Sequence, residues 1–129
     1  MKPELSLLVW AVVLTFVQML VAAQGAFNQV GLMRLVGNRE GMPEITGWGG
    51  RAARAHRNML ENLVLFASLV FVAVAAGKTN DMTLLGAQIF FWARLAYAVI
   101  FVAGVIWVRT VVWVVSIAGL IVIFSQLVK

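Results

Sequence analysis

The chain has 129 residues, of which 63% are hydrophobic and only 12% are charged, and its mean hydropathy is +0.98. Soluble globular domains carry about 25% charged residues, so this composition predicts a single-domain integral membrane protein. The chain has no cysteine, which excludes a disulfide framework, a cysteine nucleophile and a thiolate metal site. With only one histidine, His56, no metal site is expected.

Long apolar segments follow one another along the chain, and a transmembrane helix needs roughly 20 such residues. The first segment begins after Pro3 and lacks a small-residue cleavage site, so we expect it to be retained. The last apolar stretch, Met82–Val128, would be about 70 Å long as one helix, so it must fold back, and Gly104–Arg109 is the expected turn. The prediction is an all-α, four-helix transmembrane bundle that covers residues 1–129, with helices at about 5–33, 50–76, 83–105 and 109–128.

The positive charges are distributed unevenly between the two sides of this multi-pass arrangement. The side with loops one and three carries Arg34, Arg39, Arg51, Arg54, Arg57 and Arg109, and the other side carries Lys2, Lys78 and Lys129. The positive-inside rule therefore predicts cytoplasmic loops one and three, with both termini on the opposite side. Topology and a binding site account for the net charge of +5, so no nucleic-acid partner is predicted.

A charged stretch opens the second predicted helix. At about 100° per residue, Arg51, Arg54, Asn58 and Glu61 fall on one helix face. Arg57 precedes Glu61 by four residues, a spacing that permits an ion pair. The stretch therefore presents a column of two guanidiniums, an amide and a carboxylate at the membrane edge.

Arg94 lies about 12 residues into the third apolar run, where a charge is costly and faces a bundle interior or a wet cavity. Glu61 is the only carboxylate within the apolar segments, so an Arg94–Glu61 ion pair is predicted, either as part of a site or only to join two helices. Tyr97 and Phe101 follow Arg94 on the same face. The residues that would surround an anionic ligand are Arg34, Arg51, Arg54, Arg94 and Arg109, with Asn58, Glu61 and Tyr97 contacting its polar groups.

Two of these stretches resemble a known family. The segment Arg54–Asn62, RAHRNMLEN, resembles the RAxxNxxE signature of the MAPEG family, the membrane-associated proteins in eicosanoid and glutathione metabolism. The segment Ala93–Tyr97, followed by Arg109–Thr110, resembles the second conserved block of that family. The resemblance covers the chain from Gly47 to the C-terminus.

The resemblance implies a homotrimer that binds glutathione between neighbouring subunits, near the cytosolic face. The residues that match glutathione contacts of the family are Arg54, Asn58 and Glu61 of helix two, Arg94 and Tyr97 of helix three, and Arg34 of helix one. Arg109 matches the arginine that activates the thiol in several family enzymes. Phe101 and Asn62 stand where some family enzymes have tyrosines, which argues against eicosanoid synthesis.

The implied function is that of a glutathione-dependent membrane transferase or peroxidase, with glutathione as co-substrate and a hydrophobic molecule arriving from the lipid bilayer. A non-catalytic glutathione- or lipid-binding protein of the same fold is the main alternative. A small four-helix multidrug exporter also fits the size. Such an exporter needs a carboxylate deep in the membrane, and Glu61, which has arginine neighbours, is the only candidate.

Overall fold

The structure, a computed structural model that describes residues 1–129, contains five helices and no strand. The helices are α1 (Pro3–Val30), α2 (Leu32–Val36), α3 (Gly47–Ala75), α4 (Asp81–Ala103) and α5 (Ile106–Leu127). Four of them, α1, α3, α4 and α5, are long and apolar enough to cross a membrane. The predicted all-α fold is confirmed, and it has four candidate membrane-spanning helices.

The ends of α4 follow from local chemistry. Its N-cap, Asn80, accepts hydrogen bonds of 2.9 Å from the backbone N–H groups of Met82 and Thr83. The Thr83 hydroxyl in return accepts a 2.8 Å bond from the Asn80 backbone, which completes a capping box. At the other end Gly104 has a φ of 86°, a left-handed conformation that favours glycine, and its N–H donates to the carbonyl groups of Ile100 and Phe101.

The helix boundaries differ from the predicted ones by one to three residues; the second long helix, for example, begins at Gly47 and not at residue 50. Two of the differences follow from the backbone at a glycine. The first helix was predicted to continue to residue 33, but Gly31, with a φ of 81°, separates α1 from the short α2. The last helix was predicted to begin at residue 109, but it begins at Ile106, because Gly104 and Val105 alone complete the turn. Arg109 therefore lies in the first turn of α5 and not in a loop.

The centre of the bundle is formed by α3 and α4. Helix α1 packs against both, α5 packs against both, and α1 and α5 do not contact each other. Phe66 of α3 and Phe90 of α4 are fully buried and stack with ring centroids 4.3 Å apart. The side chains that α3 and α4 direct toward α5 are thus separated from those that they direct toward α1.

The two ends of the bundle differ in charge and contacts. The terminal end contains both chain termini and the α3–α4 turn at residues 76–80. There the buried carboxylate of Glu4 accepts a 2.7 Å bond from the Thr83 hydroxyl, and Asn80 donates a 3.0 Å bond to Gln126. The arginine end contains residues 31–46 and the α4–α5 turn at residues 104–105. An even number of crossing helices therefore leaves both termini at the same end.

Helices α4 and α5 approach each other closely at Gly86 and Gly119. A Cβ atom at Gly86 would lie 2.7 Å from the Gly119 carbonyl oxygen, and a Cβ atom at Gly119 would lie 2.7 Å from the Gly86 carbonyl oxygen. Helices in lipid gain little from burying apolar side chains, so close backbone packing of this kind holds them together.

We expect Gly119→Ala to destabilise the protein. Alanine favours a helix over glycine by about 1 kcal/mol, but overpacking against a backbone carbonyl that cannot rotate away costs about 1–3 kcal/mol. Thermal unfolding in detergent should therefore occur at a lower temperature than for the wild type. Ala118→Ser, on the exposed side of α5, is the matched control and should change little. An unchanged melting temperature for Gly119→Ala would contradict the close crossing.

Candidate functional site

The guanidinium group of Arg94 lies inside the bundle, on α4. The residue is 1% exposed, and its Nη2 donates a 2.8 Å hydrogen bond to Oδ1 of Asn58 on α3. Its Nε and Nη1 are also buried and have no hydrogen-bond partner. A buried charge with unmade hydrogen bonds is costly, so Arg94 needs acceptors that this chain does not supply.

The predicted ion pair between Arg94 and Glu61 is wrong. Glu61 is exposed on α3 and forms no ion pair or hydrogen bond, with Arg94 or with Arg57. The reason is helix geometry, because three residues turn a side chain by about 60° from the face that Asn58 directs at α4. Arg94 therefore contacts an amide that lies one turn before the carboxylate.

The amide of Asn58 is itself held in place by a neighbour on α3. Asn62 Nδ2 donates a 2.8 Å hydrogen bond to the Asn58 backbone carbonyl and lies 3.2 Å from its side-chain Oδ1. Asn62 is buried, at 6% exposure. In the sequence Asn62 is only a departure from the family pattern, whereas in the structure it orients Asn58, the residue that binds Arg94.

Two aromatic rings of α4 lie between two guanidiniums, one from α4 and one from α5, in what we call the cation–aromatic stack (Arg94, Tyr97, Phe101 and Arg109). The Cζ of Arg94 is 4.3 Å from the Tyr97 ring centroid, and the Tyr97 and Phe101 centroids are 5.4 Å apart. The Cζ of Arg109 on α5 is 4.5 Å from the Phe101 centroid. Cation–π contacts are strongest where water is excluded, so the two rings support both charges.

A polar cavity of about 150 Å³ lies beside this stack. It is lined by Asn58 of α3, Tyr97 of α4, and Arg109, Thr110 and Trp113 of α5. The cavity brings together side chains from three helices. Two of its lining residues, Asn58 and Tyr97, also contact Arg94. Thr110 and Trp113 were not among the predicted site residues. The four-residue step from Arg109 to Trp113 could have indicated that these two residues share a helix face.

Arg51 joins α3 to the end of α4. Its Nε donates a 2.9 Å hydrogen bond to the Val102 carbonyl, which belongs to the last turn of α4 and lacks an intrahelical partner. The remaining nitrogen atoms of Arg51 form no hydrogen bond in the structure. Arg51 thus has a structural contact at the arginine end in addition to any contact with a ligand.

The other predicted residues are more dispersed. Arg54 and Glu61 are exposed on α3 and do not line the polar cavity. Arg34 is exposed on α2 and lines a separate cavity of about 320 Å³ with residues of the following loop. Within one chain the structure brings together Asn58, Arg94, Tyr97 and Arg109, and it leaves Arg34, Arg54 and Glu61 outside this group.

Comparison with known proteins identifies the family. The model of the MAPEG family matches residues 5–129, so the match includes α1 and α2 as well as the two stretches that carry the resemblance. No curated protein and no solved structure matches the chain. The chain therefore belongs to the MAPEG family.

Proposed function

We propose that this protein is a glutathione-dependent membrane transferase or peroxidase that acts on lipophilic electrophiles. The observation that carries the proposal is the buried guanidinium of Arg94, which has two unpaired nitrogen atoms and whose contact residues line the polar cavity. Membership of a family that includes glutathione transferases and peroxidases supports the same function.

The chemistry of glutathione fits the available side chains. Each of its two carboxylates can accept hydrogen bonds from a guanidinium group. Two arginines are available for them: Arg94, which has nitrogen atoms without acceptors, and Arg54, which is exposed and unpaired. The ammonium group of glutathione would pair with the exposed carboxylate of Glu61. A neutral ligand would leave the charge of Arg94 uncompensated, so an anionic ligand is favoured.

The size of the polar cavity supports a site that is completed by a second copy. Small-molecule pockets have volumes of roughly 300–1,000 Å³, so a cavity of about 150 Å³ holds only part of a tripeptide. The rest of the ligand would lie along the exposed face of α3, against Arg54 and Glu61. A homotrimer with glutathione between its subunits would cover this face, and Arg34 would then reach the ligand only from a neighbouring subunit.

We assign the stabilisation of the thiolate to Arg109, which lines the polar cavity and is held against Phe101. A cysteine-type thiol has a pKa of about 8.5, so about 3% is ionised at pH 7, and lowering the pKa by one unit raises this to about 24%. The thiol proton passes to solvent. The thiolate sulfur then bonds to an electrophilic carbon of a substrate that arrives from the bilayer, and the leaving group departs with its electron pair.

Glutathione binding tests the proposal directly. Titration calorimetry with the detergent-purified protein should show binding by the wild type, and Arg94→Ala should weaken it about 10- to 100-fold, the effect of a lost charge-assisted hydrogen bond. Arg57→Ala, which removes an exposed and unpaired arginine of α3, is the matched control and should bind like the wild type. Absence of binding by a folded wild type would refute the proposal. Binding without turnover of a halogenated nitrobenzene would favour the non-catalytic alternative.

The role of Arg109 predicts a change in the ionisation of bound glutathione. Removal of a nearby positive charge raises the pKa of the thiol, so Arg109→Ala should move the thiolate absorbance near roughly 240 nm to a pH about one to two units higher. Arg57→Ala is again the control. If the titration of Arg109→Ala matched that of the wild type, the stabilising role would pass to Arg94.

The orientation that we propose, with the arginine end in the cytoplasm, is testable because the chain has no native cysteine. Single cysteines at Asn38, in the α2–α3 connection, and at Thr79, in the α3–α4 turn, mark the two ends. In intact cells a membrane-impermeant maleimide should label Thr79→Cys at once and Asn38→Cys only after permeabilisation. The opposite pattern would show that the positive-inside rule fails here.

A further inference from the structure

A cavity of about 190 Å³ lies at the terminal end of the bundle, where the first turns of α1 and α4 meet. We call it the terminal cavity. Its lining includes charged and polar side chains from the start of α1, from the α3–α4 turn and from the start of α4, namely Lys2, Glu4, Thr79, Asn80 and Asp81. None of its lining residues lines the polar cavity beside Arg94, so the proposed function makes no use of it.

The carboxylate of Glu4 is the most enclosed charge of the terminal cavity, and its hydrogen bonding is incomplete. The residue is 4% exposed, and its Oε2 accepts a 2.7 Å bond from the Thr83 hydroxyl. That hydroxyl has a single proton and also lies 2.8 Å from the Asn80 carbonyl oxygen, so its proton is shared between two acceptors. Oε1 of Glu4 accepts no hydrogen bond, and unlike the fully enclosed Oε1 of Gln18 it retains accessible surface. A carboxylate in this state needs a donor from another molecule.

The charges of the chain itself do not supply this donor. Glu4 forms no ion pair, and Lys78 of the α3–α4 turn donates to the Leu127 carbonyl instead. The partial positive charges at the starts of α1 and α4 favour carboxylates in the first turns, which is where Glu4 and Asp81 lie. No backbone N–H of either turn donates to Oε1 of Glu4, however, so that oxygen stays free.

The missing donor is better supplied by an ammonium group than by a metal ion. The structure contains no group of three or more Asp, Glu, His or Cys side chains that could hold a metal. The side-chain oxygen of Asn80 already accepts two backbone N–H groups, and calcium takes about six to eight oxygen ligands. A primary ammonium has only about three N–H donors, so Glu4 and Asp81 provide most of the acceptors that it needs.

The depth of the terminal cavity and its one lysine restrict the source of the ammonium. Helix α4 has 23 residues and is about 34 Å long, slightly more than the roughly 30 Å of hydrocarbon, so Asp81 lies at the level of the lipid head groups. Lys2 is exposed at the same cavity and is free to contact a phosphate. One cation beside two carboxylates is complementary to a head group that carries a phosphate and an ammonium.

We propose that the terminal cavity binds the head group of phosphatidylethanolamine. Its ammonium donates a hydrogen bond to Oε1 of Glu4 and pairs with Asp81, while Lys2 contacts its phosphate. The acyl chains remain in the surrounding bilayer. Phosphatidylcholine has the same charges but no N–H donor, so the free oxygen of Glu4 selects against it.

Two lipids with the same acyl chains test the proposal, dioleoyl phosphatidylethanolamine and dioleoyl phosphatidylcholine. Each is titrated against the full chain in detergent, and bound lipid is measured by native mass spectrometry. The wild type should bind phosphatidylethanolamine about tenfold more tightly, which is the effect expected of one charge-assisted hydrogen bond. Equal affinity for the two lipids would overturn the proposal.

Glu4→Gln removes the charge of the enclosed side chain but keeps its size and an oxygen for the Thr83 hydroxyl. It should abolish the preference for phosphatidylethanolamine. Glu44→Gln, which changes an exposed carboxylate at the arginine end, is the matched control and should keep the preference. An unaltered preference in Glu4→Gln would overturn the assignment.

Two exposed residues provide variants that do not disturb buried packing. Lys2→Gln should weaken both lipids roughly two- to fivefold and keep the preference, because the phosphate is common to them. Asp81→Asn should weaken phosphatidylethanolamine by a similar factor. Unaltered phosphatidylethanolamine binding in both variants would overturn the proposal even if Glu4→Gln failed to fold.

Two further readouts separate this inference from others. Glu4→Gln should retain wild-type affinity for glutathione, so the terminal cavity and the polar cavity succeed or fail independently. If magnesium or calcium chloride raised the melting temperature of the wild type but not of Glu4→Gln, and the two lipids bound alike, the cavity would be a metal site and the proposal would be wrong.

Discussion

The candidate site is built around a guanidinium, that of Arg94, which is buried in an apolar bundle. One amide and one aromatic face compensate for the lost hydration, from Asn58 on α3 and from Tyr97 on the same helix. Both residues also line the polar cavity, so the groups that support the charge form the wall of the candidate site. Stability and ligand binding are coupled at this point, because a ligand that supplies the missing acceptors also relieves the incomplete pairing of Arg94.

The backbone turn at Gly104 positions Arg109, the second positively charged residue of the candidate site. Gly104 adopts the left-handed conformation that ends α4, and α5 begins two residues later. This short connection places Arg109 in the first turn of α5, where its guanidinium lies over Phe101 of α4. The phenylalanine that lacks the hydroxyl of some family enzymes therefore has a role of its own, because its ring face supports a cation.

Composition and hydropathy were sufficient to predict the four apolar helices, since length and polarity alone determine whether a segment can span a bilayer. Helical spacing was sufficient to place Arg94 and Tyr97 on one face of a helix. Arg109 lies on another helix, and only the family resemblance and its position at the third loop pointed to its place beside them. Helical spacing was insufficient to choose between Asn58 and Glu61 as the partner of Arg94. That choice depends on the rotation of α3 about its own axis, which tertiary packing determines.

A different consequence follows from the hydrogen bond between Arg51 and Val102. The bond holds the last turn of α4, which directly follows Phe101. Fraying of that turn would therefore loosen the position of the Phe101 ring, against which the Arg109 guanidinium packs. Loss of Arg51 would then disturb the polar cavity through the scaffold, whether or not its side chain touches a ligand. A thermal-stability profile measured without ligand would separate this structural contribution of Arg51 from any contact with a ligand.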